Sequence, residues 1–237
     1  MKFFKRRIEV ILSFKNNFPD PIIDYCSESV YYPSDDTYLI LDFLKNNIND
    51  DFFDGKNIKN VKKILDLGTG TGIIAIFLQM IKKKHLKFKP EIYASDILKE
   101  SIEYAKLNEK SNNEKSEIKF IESDLFNNFP NSLKNSFDVV IFNPPYLPSS
   151  NLISRVDSKE KVDYSWNGGK GGLETIVKFL DQVNSFLNLD FYVYFISSSR
   201  TDLKELNEQI LIKGFKHSIM EKKHMFFEDI LLNRLER

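Results

Sequence analysis

The chain has 237 residues, of which 42% are hydrophobic, and its 34 basic and 34 acidic side chains give a formal net charge of zero. This length suits one domain with a short extension, and the neutral charge argues mildly against a nucleic-acid partner, which usually requires a basic excess. The one cysteine, Cys26, cannot form an internal disulfide and offers no metal cluster. No apolar stretch is long enough to span a bilayer, and Met1–Arg7 is too charged for a secretory signal, so we expect a cytoplasmic protein. With a single cysteine, we also expect no bound metal.

Residues 1–29 are predicted to form an N-terminal extension, and residues 30–237 a single larger domain. Apolar residues recur at helical spacing across Phe4–Leu12, which predicts a short amphipathic helix in the extension. A turn then leads into a helix predicted over Tyr38–Lys45. Residues 46–60 are interpreted as a polar connection.

From residue 61 onward, apolar strands alternate with helical patterns. Strands are predicted at Val61–Leu67, Ile92–Ser95, Ile118–Ile121, Phe137–Phe142, Phe191–Ile196, Phe215–Glu221 and Met225–Arg234. Helices are predicted at Ile73–Ile81, Leu98–Asn108, Leu173–Leu187 and Asp202–Lys213. This alternation predicts an α/β fold, a mostly parallel sheet with helices on both faces. The last two strands are too close for a helical crossover and should be antiparallel.

A glycine run follows the first of these strands. Leu65–Gly72 has the sequence L-D-L-G-T-G-T-G, and glycines at a strand end let the backbone turn and a ligand approach closely. The G-x-G-x-G spacing of Gly68, Gly70 and Gly72 differs from the dinucleotide pattern G-x-G-x-x-G. Asp66 would repel a pyrophosphate but suits a cationic sulfonium cofactor with an amino-acid tail.

Acidic residues also end the next two strands. Asp96 is placed to accept the two hydroxyls of a ribose, and Asp124, with its neighbour Leu125, to contact an adenine. One such acid alone would be interpreted as a helix cap. Three acids at successive strand ends, together with the glycines, favour cofactor binding. The pattern resembles that of S-adenosylmethionine-dependent methyltransferases with a Rossmann-like seven-stranded fold, which ends in an antiparallel hairpin.

The second motif is the Asn-Pro-Pro-Tyr turn (Asn143–Tyr146), which ends another apolar strand. Its two prolines, Pro144 and Pro145, lack N–H donors but keep their carbonyl acceptors. A planar NH₂ group could donate one N–H to the Asn143 side-chain oxygen and the other to the Pro144 carbonyl, beside the ring of Tyr146. All four residues are therefore predicted to be catalytic through positioning, and Asn143 is also predicted to contact the cofactor.

Two further segments narrow the resemblance. Val30–Tyr38 is similar to the V-Y-x-P-x-x-D-T entry motif of the HemK-like protein-glutamine methyltransferases, eukaryotic and archaeal branch, and Trp166–Gly172 is similar to that branch's W-x-G-G-x-x-G loop. The resemblance implies that Thr37 reaches the amino-acid end of S-adenosylmethionine. It also implies methylation of the Gly-Gly-Gln glutamine of a class I peptide chain release factor. A small zinc-binding activator is the implied partner in a heterodimer.

Three other interpretations stay open. The same turn serves nucleic-acid methyltransferases that act on an exocyclic adenine or guanine amine, which would require base flipping. Relatives of this branch are reported to methylate protein lysines. A cofactor-binding scaffold without activity is the non-enzymatic alternative, although the complete turn from Asn143 to Tyr146 argues against it.

Overall fold

The structure, a computed structural model, describes residues 18–112, 115–148, 168–225 and 227–237. The helix predicted at Phe4–Leu12 and the predicted motif residue Trp166 lie outside these ranges. No helix in the described part of the chain is both long enough and apolar enough to cross a membrane.

The described ranges contain five α-helices and nine β-strands. The helices are α1 (Asp35–Asn47), α2 (Ile73–Lys84), α3 (Lys99–Asn112), α4 (Glu174–Val183) and α5 (Leu203–Ile212). The strands are β1 (Phe52–Phe53), β2 (Lys56–Asn57), β3 (Lys63–Leu67), β4 (Glu91–Asp96), β5 (Lys119–Glu122), β6 (Phe137–Phe142), β7 (Leu187–Ser198), β8 (Lys216–Met225) and β9 (Glu228–Glu236).

Seven of these strands form one sheet in the order β5-β4-β3-β6-β7-β9-β8. β3 to β7 are parallel to their neighbours, whereas β9 is antiparallel to both β7 and β8. The predicted Rossmann-like fold with a closing antiparallel hairpin is confirmed. Strand order reverses between β3 and β6, where Leu67 pairs with Phe142. This reversal opens a crevice at the carboxyl ends of the two strands, so the glycine run and the Asn-Pro-Pro-Tyr turn meet there.

The sheet is buried on both faces, which explains its unbroken apolar strands. One set of strand side chains packs with α1 and α2, and includes Ile64, Val139 and Tyr194. The alternate set packs with α4 and α5, and includes Leu65, Val140 and Val193. The sheet therefore lies between two hydrophobic cores.

Several predicted elements differ from the structure. Strand β7 begins at Leu187 and not at Phe191, and Met225, predicted to begin the last strand, ends β8. The helix predicted over Leu173–Leu187 ends at Val183, because a turn closes it: the Ser185 and Phe186 N–H groups donate to the carbonyls of Gln182 and Val183. Apolar residues at 186 and 187 fit the helical pattern equally well, so periodicity alone placed the end too late. The connection at residues 46–60 contains the short β1–β2 hairpin, whose Asp-Gly turn has positive φ at both residues.

The described part of the N-terminal extension lies along α3. Asn108, fully buried, accepts hydrogen bonds from the N–H groups of Asp24 and Tyr25 and donates to the Tyr25 carbonyl. Its side chain also donates to the carbonyl of Thr71, inside the glycine run, at 3.0 Å. One asparagine thereby joins the extension to the glycine run.

Candidate active site

A cleft of about 1150 Å³ opens at the carboxyl ends of β3, β4 and β6 and contains most of the predicted site residues. The predicted residues that line it are Thr37, Gly68, Gly70, Asp96, Asp124, Leu125, Asn143, Pro144, Pro145 and Tyr146. Asp66 and Gly72 belong to the same glycine run but do not line the cleft. The two motifs, more than seventy residues apart in sequence, therefore form one site.

The glycine run forms a cradle with little side-chain bulk. Gly68 and Gly70 have φ values of +66° and +54°, in the region that favours glycine. A Cβ on Gly68 would lie 3.2 Å from the Phe142 ring. Gly72 serves packing instead, because a Cβ there would lie 2.9 Å from the Cβ of Ala105 on α3.

Asp66 lies beneath the cradle and is only 1% exposed. Its Oδ2 accepts from the Thr69 hydroxyl at 2.6 Å and from the Ala75 N–H at 3.2 Å, and its Oδ1 has no hydrogen-bond partner among the described residues. Burial raises the pKa of Asp66 to about 7, against the lowering effect of these hydrogen bonds. Its observed contacts support the loop, and its contact with a cofactor stays a prediction.

Asp96, at the end of β4, faces the cleft. Its Oδ2 accepts from the Gly70 N–H at 2.9 Å and its Oδ1 from the Leu98 N–H at 2.9 Å. The Ser101 side chain and the Ile97 N–H also donate to this carboxylate, and its contact with the hydroxyls of a ribose stays a prediction. Burial raises the pKa of Asp96, while its hydrogen bonds act in the opposite direction.

Asp124 and Leu125 lie just after β5. Asp124 is exposed, whereas Leu125 is half-buried and has a φ of +47°, an uncommon backbone conformation for leucine. The next residue, Phe126, donates its N–H to the Gln182 side chain at 3.1 Å, which anchors this bend to α4. The bend brings both predicted residues to the wall of the cleft.

The Asn-Pro-Pro-Tyr turn is held by side chains from the entry motif. Asn143 Nδ2 donates to the Thr37 hydroxyl oxygen at 3.2 Å, and the Tyr146 hydroxyl donates to Asp36 Oδ2 at 3.1 Å. Asn143 Oδ1 has no hydrogen-bond partner in the described ranges. Burial, and then the negative charge of Asp36, raise the pKa of Tyr146. Asn143 and Tyr146 are thus fixed in place, and Asn143 Oδ1 is available as an acceptor.

Two glycines of the W-x-G-G-x-x-G loop, Gly168 and Gly172, pack behind this turn. The Gly168 N–H donates to the Leu147 carbonyl at 2.8 Å, and a Cβ on Gly168 would lie 2.8 Å from the Pro145 carbonyl oxygen. A Cβ on Gly172 would overlap the carbonyl oxygen of Tyr146. Gly168 and Gly172 therefore allow close backbone packing against the turn.

Two residues of this arrangement were missed by the sequence analysis, Asp36 and Tyr31. Asp36 is 5% exposed and accepts from the Tyr31 hydroxyl, at 2.9 Å to one carboxylate oxygen and 3.0 Å to the other. Both belong to the entry motif, in which only Thr37 was assigned a role. An acid beside Thr37 could have indicated this role, but the sequence offers two adjacent acids, Asp35 and Asp36, and does not distinguish them.

The residues of the cleft fit an adenosyl cofactor that carries a sulfonium. The glycine cradle leaves room for a ligand, the Asp96 carboxylate lines the cleft, and the lining carries more acidic than basic side chains. The acids are Glu28, Asp35, Asp36, Asp96, Asp124 and Glu228, and the bases are Lys178 and Arg200. An acidic lining attracts a cation and disfavours a phosphate group.

Comparison with known proteins agrees with this geometry. The methyltransferase domain family matches residues 58–225. A putative protein N5-glutamine methyltransferase from Methanocaldococcus jannaschii is 34% identical over 86% of this chain and 89% of that protein. The eRF1 methyltransferase catalytic subunit mtq2 of Schizosaccharomyces pombe is 27% identical over 79% of this chain and 80% of its own.

A solved structure shows the same fold. It is the Mtq2–Trm112 complex of E. cuniculi, described as responsible for methylation of the translation termination factor eRF1. The match has a TM-score of 0.60 and 22% identity, and it covers 88% of this chain and 99% of that chain.

Proposed function

This chain belongs to the HemK-like family of S-adenosylmethionine-dependent methyltransferases, and we propose that it methylates the side-chain amide nitrogen of the Gly-Gly-Gln glutamine in a class I peptide chain release factor. Relatives named as glutamine and eRF1 methyltransferases support this substrate. The observation that carries the proposal is the unused Asn143 Oδ1, next in sequence to the carbonyl of Pro144.

The acceptor nitrogen is held by two oxygens. A primary carboxamide has two N–H groups, and we assign one to Asn143 Oδ1 and the other to the Pro144 carbonyl. An acceptor without a partner is costly when it is shielded from water, so a donor from the substrate would bind favourably there. With both hydrogens held, the remaining face of the nitrogen is directed along the cleft, beside the ring of Tyr146.

Positioning then supplies most of the rate gain. An amide nitrogen is a weak nucleophile, and holding two reacting groups in line is worth on the order of 7–11 kcal/mol in favourable cases. The cofactor, when bound, supplies a methyl group activated by the sulfonium. No strong base is required, because the amide proton becomes acidic once the nitrogen is alkylated; the proton would pass to water, and S-adenosylhomocysteine would be the leaving group.

We assign the cofactor to the part of the cleft beside this grip. Thr37, Gly68, Gly70, Asp96, Asp124, Leu125 and Asn143 are proposed to contact it directly. Asp66 and Gly72 are proposed to contribute to the same site, with Asp66 bonded to the loop and Gly72 packed against α3. We also propose a small zinc-binding activator as partner subunit, because the similar structure from E. cuniculi is a complex with Trm112.

A protein lysine is the second candidate substrate, and the acidic lining of the cleft favours it. The six acids described above would attract an ammonium group as well as a sulfonium. The same lining disfavours the phosphates of a nucleic acid, which agrees with the neutral net charge of the chain.

The test is methyl transfer from radiolabelled S-adenosylmethionine, with and without the candidate activator, to separate pools of release factor, tRNA, DNA and histone. We expect label on the release factor, and no label when the Gly-Gly-Gln glutamine is replaced by glutamate. Label on nucleic acid alone would refute the proposal. Label on histone lysine alone would support the second candidate instead.

A further inference from the structure

We infer that Asp36, acting through the Thr37 hydroxyl, determines the orientation of the Asn143 carboxamide. Asp36 is thus a positioning residue for the reaction. The inference rests on the proposed role of Asn143 as an acceptor for the substrate nitrogen. It concerns the choice between two orientations of the side-chain amide, which differ by exchange of its oxygen and nitrogen.

The Asp36 carboxylate is a buried acceptor surrounded by donors. Oδ1 accepts from the Thr37 N–H at 2.5 Å and from the Thr37 hydroxyl at 3.1 Å, and the hydroxyls of Tyr31 and Tyr146 also donate to the carboxylate. Within the described ranges, no cationic side chain forms an ion pair with it. A carboxylate only accepts hydrogen bonds, so each hydroxyl that faces it must supply its one proton.

The direction of the Thr37 hydroxyl proton decides whether this hydroxyl donates a hydrogen bond to Asn143 or accepts one from it. The Thr37 hydroxyl donates its hydrogen bond to Asp36, so its oxygen can only accept one from Asn143, 3.2 Å away. The Asn143 NH₂ must therefore face Thr37. The reversed amide would place two oxygens against each other with no proton between them, which is electrostatically unfavourable.

The fixed amide leaves Asn143 Oδ1 as the free atom, without a partner in the described part of the chain. That atom can accept the substrate N–H. Were the amide reversed, its own NH₂ would meet the NH₂ of the substrate, and two donors cannot bond to each other. A carboxylate that does not touch the reacting atoms thus makes the site an acceptor.

The test is Asp36→Asn, which keeps the shape of the side chain but introduces a donor. Its NH₂ can donate to Thr37, which frees the Thr37 proton to turn toward Asn143 and allows the amide to reverse. We expect kcat to fall about 10- to 100-fold, the equivalent of one buried hydrogen bond, while the Kd for S-adenosylhomocysteine stays within about threefold. The matched control is Asp42→Asn, an exposed carboxylate on the same helix, which should leave kcat unchanged.

A second measurement does not depend on the identity of the substrate. The side-chain NH₂ signal of Asn143, identified in a ¹⁵N correlation spectrum by its loss in Asn143→Ala, should shift in Asp36→Asn and stay in place in Asp42→Asn. If the release factor proves not to be the substrate, this spectrum still tests the inference. An unmoved signal, or wild-type kcat in Asp36→Asn, would overturn it.

Thr37 provides the test should Asp36→Asn not fold. Thr37→Val removes the hydroxyl at nearly constant volume, and Thr37→Ser restores it. We expect the valine variant, assayed at saturating cofactor, to lose kcat and to shift the Asn143 signal, and the serine variant to recover both. Equal behaviour of the two variants would contradict a relay through the hydroxyl.

Discussion

Gly172 lies directly against the carbonyl of Tyr146, and a Cβ on this glycine would overlap the carbonyl oxygen. The same carbonyl accepts a hydrogen bond from the Thr201 hydroxyl at 3.3 Å. Backbone therefore packs on backbone behind the Asn-Pro-Pro-Tyr turn, and the position of Tyr146 depends on the absence of a side chain at residue 172.

Gly172→Ala should disturb the turn as well as the fold. The added methyl forces the backbone apart, so we expect a loss of about 1–3 kcal/mol in the free energy of unfolding, and a larger effect on kcat than on cofactor affinity. Thermal unfolding, kcat and the Kd for S-adenosylhomocysteine measure these effects. Gly214→Ala is the matched control, because Gly214 also has a positive φ, +79°, but no atom lies within 4 Å of its Cβ position. Equal loss of kcat in both variants would exclude the proposed overlap as the cause.

Asn143→Ala should separate chemistry from cofactor binding. The variant loses the proposed acceptor for the substrate nitrogen, so methyl transfer should fall at least 10²-fold, by analogy with the loss of one preorganised hydrogen bond in other enzymes. Calorimetric binding of S-adenosylhomocysteine should weaken much less, because Asn143 is one of seven residues proposed to contact the cofactor directly. Parallel loss of binding and transfer would contradict the assigned grip on the substrate.

Asp66 should make the stability of the free protein depend on pH. Its pKa is about 7 in the folded chain, raised by burial from 3.8, so between these values the folded state binds more protons than the unfolded state. The stabilisation is present below pH 3.8 and is lost as the pH rises through about 7. Relative to Asp66→Asn, the wild-type protein should lose up to about 1.4 kcal/mol per pH unit between pH 5 and 7. Denaturant unfolding of both proteins at several pH values measures this difference, and parallel curves would refute it.

Asn108→Ala should weaken cofactor binding from a distance. The change removes the bond to the Thr71 carbonyl and the bonds to residues 24 and 25, and leaves buried groups unpaired. We expect a loss of about 1–3 kcal/mol in stability and a weaker affinity for S-adenosylhomocysteine. Asn112→Ala is the control, since Asn112 bonds the extension at Ile22 but not the glycine run. If both variants bind the cofactor equally well, Asn108 does not support the cradle.

Local chemistry explains how much could be predicted from the sequence. The alternation of apolar strands and helices implied a parallel sheet, because burial on both faces requires continuous apolar strands. The glycine run and the Asn-Pro-Pro-Tyr turn were recognisable because glycine and proline restrict or free the backbone by their own covalent structure. These two properties act over a few residues, and both motifs were accordingly placed at the correct strand ends.

Long-range contacts determine the features of the site that the sequence did not predict. Asp35 and Asp36 are adjacent in sequence, yet Asp35 forms an ion pair with Lys223 while Asp36 is buried beside Tyr146, 110 residues away. Asp66 was predicted to contact the cofactor, and the structure adds two contacts that the sequence did not show, with the Thr69 hydroxyl and the Ala75 N–H. Whether a carboxylate faces solvent, a ligand or the interior depends on which distant donors fold against it, and no local pattern encodes that choice.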